Sequence, residues 1–152
     1  MPDRFIALIP SDPKARPASD TMEALRIALA ARFESSESRV KDFGERLQFI
    51  DCGENYERTL CPSCEAEVPL VWWGQRMDGD WDEEHGFHLH RHEMPCCGAS
   101  HRLTELEYRG AQGFAHWFVS ARVDEGVIFT SKDLQALENE AGLALKLIEQ
   151  RY

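Results

Sequence analysis

Two layers of α+β structure are predicted, and three observations predict them. Strand-length apolar runs recur at residues 4–10, 47–52, 114–123 and 143–152, and helical periodicity fills the gaps inside the first and last pairs. Cap and stop residues fall at the ends of those helical stretches. A cysteine-bearing segment of different character interrupts the series at 54–109. With that segment set aside the order is strand, helix, strand, strand, helix, strand. This is the ferredoxin-like βαββαβ sandwich, with two helices over one face of an antiparallel sheet. The chain is therefore read as a single domain, 1–152, whose second and third strands are separated by an inserted subdomain, 54–109.

Arg4-Phe-Ile-Ala-Leu-Ile-Pro10 is an unbroken apolar run ended by proline, as a buried first strand would be. A proline-bearing loop follows to Ser19. Asp20 with Glu23 three residues on predicts a capping box, and Met22, Leu25, Leu29 and Phe33 then recur on one helical face. Residues 34–41 are polar and serine-rich and read as a linker. Leu47–Cys52 is the second strand, stopped by Gly53. Inside the insertion, Val68–Trp73 and Gly86–Glu93 read as strands joined by an acidic turn, Asp78–Glu84, and Leu103–Tyr108 returns the chain to the body. Phe114–Val123 is an aromatic strand whose alternation sets Phe118 toward the helices and Trp117 away from them. Thr130 with Asp133 opens a second helix carrying Leu134 and Leu137, and Gly142 closes it. Leu143, Leu145 and Leu147 then alternate along a final strand.

Five cysteines occur, and four of them are paired: Cys61-Pro-Ser-Cys64, and Cys96-Cys97 within Met94-Pro-Cys-Cys-Gly98. The first has the form of a metal knuckle, whose tight turn aims two sulfurs at one ion. In the second frame Met94 stands at the first ligand position, Cys97 at the second, and Cys96 is the natural substitute. Neighbouring thiols reach one ion only across a sharp turn, which Pro95 and Gly98 supply. The segment from Cys61 to His101 thus resembles the zinc-ribbon class, which implies one structural zinc on Cys61, Cys64, Cys96 and Cys97. His92 and His101 are reserve ligands, since three-cysteine, one-histidine sites are common. Cys52 lies outside the pattern and reads as a small buried apolar residue.

The chain carries a net charge of −10 with a pI near 5.0. From Glu54 to Arg109, twelve acids face five arginines, a local balance of −7. Phosphate backbones are held by positive charge, so a nucleic-acid-binding ribbon is the weakest functional reading. No apolar run approaches the length of a membrane span, and Phe5–Ile9 is too short for a signal-peptide core, so a cytoplasmic protein is expected.

His88, His90 and His92 would share one face of an extended strand, near Asp82, Glu83, His85 and Glu93. That arrangement makes a metal-dependent hydrolase the alternative reading. Phosphate-binding glycine loops and a nucleophile elbow are both missing from the sequence. The first reading is a small acidic zinc protein that acts by protein–protein contact, in the physical style of immunity or antitoxin-like binders of a basic partner. Its expected contacts are Trp72, Trp73 and Trp81 with Asp80, Asp82, Glu83 and Glu84.

Overall fold

The unbroken apolar run at the start of the chain is explained by burial on both sides. The structure, a computed structural model, describes residues 3–152. Its elements are β1 (Arg4–Pro10), α1 (Ser19–Arg32), β2 (Ser38–Asp42), β3 (Gln48–Ile50), β4 (Arg58–Leu60), α2 (Leu70–Asp80), β5 (Trp81–Asp82) and β6 (Gly86–Phe87). There follow β7 (His92–Glu93), β8 (Ser100–His101), a 3-10 turn at Leu103–Glu105, β9 (Glu107–Arg109), β10 (Gly113–Ala115), β11 (Trp117–Arg122), α3 (Ser131–Ala141) and β12 (Leu145–Arg151).

The main sheet is antiparallel in the order β12-β1-β11-β2. Ile6 and Leu8 of β1, with Trp117, Val119 and Ala121 of β11, pack beneath Met22, Leu25 and Leu29 of α1 and Leu137 of α3. Burying each of these aliphatic side chains contributes about 2 kcal/mol, so the stripe on α1 holds that helix down despite its modest amphipathicity. The alternate residues Ala7, Ile9, Phe118 and Ile148 face the other way, onto Ile50, Cys52 and Ala115. A third cluster gathers Cys61, Val68, Met77, Met94, Leu103 and Leu106 around Leu47 and Phe114. The segment between β4 and β9 therefore shares its apolar centre with residues that flank it on both sides.

The ferredoxin-like two-layer βαββαβ sandwich with one inserted ribbon is not what forms. Both faces of the large sheet are covered, and four separate two-stranded sheets stand beside it: β10-β3, β4-β9, β5-β6 and β7-β8. The stretch read as a linker contributes β2, an exposed edge strand that needs only one inward apolar residue, Val40, set opposite Val119. The expected second strand, Leu47–Cys52, instead pairs with β10. Residues 114–123 break at His116 into β10 and β11, which reverses the expected facing: Trp117 lies against the helices and Phe118 on the opposite side.

Two helix starts show how local chemistry is decided. Thr130 Oγ1 accepts the Asp133 backbone N–H, and the Asp133 carboxylate accepts that of Thr130, so the expected capping box closes. Gly142 ends α3 in the left-handed region at φ 71°. At α1 the expected box does not form: Ala18 is the cap residue, and Glu23 turns to Arg26. The segment Val68–Trp73, read as a strand, enters helix α2 after Pro69. The Val-Trp-Trp run mimics a strand and Gly74 and Gly79 weaken the helical signal, while Trp73 and Met77, four apart, mark the face that packs.

Candidate metal centre

The two cysteine motifs fold into the same turn. In the first, Cys61 N–H donates to Ala66 O (2.9 Å) and Glu65 N–H to Cys61 O (2.9 Å), with Glu65 at φ 64°. In the second, Met94 N–H donates to Ala99 O (2.8 Å) and Gly98 N–H to Met94 O (2.9 Å), with Gly98 at φ 75°. Met94 thus occupies the place of Cys61, Cys96 that of Ser63, and Cys97 that of Cys64. A thioether, 2% exposed, fills the inner ligand position of the second turn and packs into the apolar cluster. The thiol two residues further on, Cys96, takes over.

The four sulfurs converge. Cys64 Sγ stands 3.3 Å from Cys96 Sγ and Cys61 Sγ 3.8 Å from Cys97 Sγ, with all four within 4.8 Å of one another. None of the five cysteines is in a disulfide among the described residues. Burial works to raise the Cys61 thiol, but the backbone N–H groups of Cys64 and Ser63, with the Cys96 and Cys97 thiols, outweigh it and bring it down to about 7. Desolvation and hydrogen bonds to the other three thiols push Cys96 up to about 12. Turn amides aimed at sulfur stabilise a thiolate and, by the same geometry, the excess negative charge that thiolate ligands keep when they bind a divalent cation. The cluster can hold a metal ion, and its donors are all soft sulfur. Cys52 is elsewhere, fully buried beside Ile9 and Ile148.

The reserve ligands His92 and His101 are not members of this cluster. His92 and His101 face one another across β7 and β8. His101 Nε2 lies 2.6 Å from Ser63 Oγ, and its Nδ1 lies 3.3 Å from Glu105 Oε1. His92 Nε2 is buried without a hydrogen-bond partner, 3.5 Å from Asp80 Oδ1.

The expected histidine face is broken. Leu89, at φ 57°, turns the chain between β6 and β7, so His88, His90 and His92 do not line one strand. Instead His88 stacks on His90, ring centroids 5.3 Å apart, and its Nε2 meets the Asp82 carboxylate. His85 Nδ1 lies 3.5 Å from the same carboxylate, giving a group of Asp82, His85 and His88. The bond from His88, then the His85 and Glu84 amides, hold Asp82 down at about 2.

Asp80, expected among the contact residues, is 1% exposed and cannot meet a partner. Its carboxylate accepts the backbone N–H groups of Leu89 (2.8 Å) and His90 (2.9 Å), clamping the loop that follows β6. Asp80→Ala leaves both amides without that acceptor, and a loss of about 2–3 kcal/mol is expected in chemical denaturation. Trp73 is half-buried, its Nε1 donating to Tyr108 Oη at 3.1 Å, and Trp72 lies beneath the Arg76 guanidinium. Trp81 remains exposed, with Glu83 and Glu84 beyond it. No helix is long and apolar enough to cross a membrane among the described residues. Comparisons with protein-family models, curated proteins and solved structures found no significant match to this chain.

Proposed function

We propose that the chain is a non-enzymatic interaction domain, held together by one structural zinc, whose acidic exterior binds a basic protein. The observation that carries the reading is the closed set of four thiols. A Zn–S bond of about 2.3 Å in tetrahedral geometry spaces the sulfurs about 3.8 Å apart; two of the six observed pairs lie at 3.3 and 3.8 Å and all lie within 4.8 Å. Four protein ligands leave no position for water or substrate, so such an ion crosslinks two turns and does no chemistry. Free thiols in this number suit a reducing compartment such as the cytoplasm.

What the segment around this ion, residues 54–109, offers is then its surface. Of the twelve acids from Glu54 to Arg109, every one but Asp80 and Asp82 is exposed. Trp81, with Glu83 and Glu84, combines an aromatic anchor with an acidic rim. A photo-crosslinking residue placed at exposed Asp78, beside Trp81, in the expressing cell tests this directly. The expected product is an adduct with a basic protein that disappears when Glu83 and Glu84 are both changed to lysine. The absence of an adduct, or one indifferent to that double charge reversal, overturns the reading.

A further inference from the structure

The geometry points to a second metal site, open where the thiol cluster is closed: Asp82, His85 and His88 bind a divalent transition metal, whose free positions take a small oxyanion from the adjoining cleft. The three donors sit on one hairpin, within 4.8 Å of one another. The turn itself orients them, since Asp82 Oδ1 accepts the amides of Glu84 (2.9 Å) and His85 (2.7 Å). That hairpin is fastened to the body. Leu47 N–H donates to His85 O, Phe87 N–H to Leu47 O, and Trp81 Nε1–H to Gln48 Oε1. Gly86 makes the approach feasible, because a Cβ there would fall 2.1 Å from Leu47 O. Two imidazoles and one carboxylate suit zinc, cobalt, nickel or iron(II) better than calcium or magnesium, and three protein ligands leave room for an exogenous one.

The cleft beside this group selects the sign of that ligand. His88 is part of the wall of a cleft of about 750 Å³, which it shares with Lys14, His90, Arg91 and Arg102. In a chain of net charge −10, Asp12 is the one acid among the lining residues. His116 also lines the cleft, and its Nδ1 is buried with no hydrogen-bond partner. A polar atom in that position has an unmet hydrogen bond that a bound oxyanion or its protonated oxygen can complete. This inference does not depend on the thiol cluster's role.

Cobalt(II) titration of the full chain, with its thiol site first loaded with zinc, is the test. A second equivalent is expected, with the weak visible band of a nitrogen–oxygen site and no thiolate charge-transfer band. His85→Ala and His88→Ala should each abolish it while leaving the zinc in place, and Cys52→Ser should leave both. Inorganic phosphate should then shift the cobalt band, and in Lys14→Ala the shift should require more phosphate. No second equivalent, or one that survives both histidine substitutions, overturns the site. A band indifferent to phosphate overturns the oxyanion assignment. Loss of the zinc alone would instead strike at the thiol centre, so the two failures are distinguishable.

Discussion

Cys61→Ser is expected to release the metal and melt the lobe between β4 and β9 while the four-stranded sheet stays folded. Serine removes the best-buried of the four sulfurs, the one lying at 0% exposure among Val68, Met77, Met94 and Leu103. Structural zinc in small modules contributes on the order of 10 kcal/mol of apparent folding free energy, more than the small apolar cluster beside α2 supplies to hold the short two-stranded sheets of this segment together. The expected signature is loss of one zinc per chain in elemental analysis, with new protease cleavage between residues 58 and 109. Far-ultraviolet dichroism from α1, α3 and the main sheet should persist. Cys52→Ser is the control: Cys52 stands apart from the cluster, so metal content should not change. A Cys61→Ser chain that keeps its metal and its protease resistance would show that the four thiols are not a structural centre.

How much of this was readable in advance depended on how local the deciding physics is. The thiol cluster is legible because each half is a six-residue turn that carries its own chemistry: proline to set the bend, and a residue after the second sulfur that tolerates positive φ. Glycine at position 98 announces that conformation, whereas Glu65 adopts it without any such signal. The α3 capping box and its Gly142 stop are local in the same sense and form as read. The main sheet is not local. Nothing in Ser38–Asp42 marks an edge strand, because solvent covers most of it and only Val40 meets the core. The large apolar content of Leu47–Cys52 equally suits the second sheet it joins. At the site, the histidine spacing suggested a shared face only if the backbone stayed extended. Leu89 in the left-handed region, held by Asp80 from a helix nine residues away, redirects the rings. That carboxylate reads as part of a solvated acidic run because its donors, the Leu89 and His90 amides, lie on a loop whose path the sequence does not reveal.

Trp117→Ala is expected to destabilise the other half of the molecule by about 3–5 kcal/mol, the range for removing a fully buried aromatic side chain. Trp117 is 0% exposed, packs at the centre of the sheet–helix core, and donates its Nε1–H to Ala15 O at 3.0 Å. That bond ties the loop after β1 to β11, and Lys14 of the same loop lines the cleft beside His88. Trp117→Phe keeps most of the apolar volume and loses the bond, so a cost of about 1–2 kcal/mol is expected, with the loop rather than the core affected. Denaturant titrations of the two variants, followed by dichroism, separate these terms. If Trp117→Phe matched Trp117→Ala, the hydrogen bond and not the cavity would govern the site. The pair of experiments also separates the two halves of the chain: Trp117→Ala should lower the sheet's midpoint with the thiol-bound metal retained through that transition, while Cys61→Ser should release the metal and leave the sheet's midpoint unchanged. Should both variants instead lose metal and sheet together at one midpoint, the shared cluster around Leu47 and Phe114 would couple the halves into a single cooperative unit.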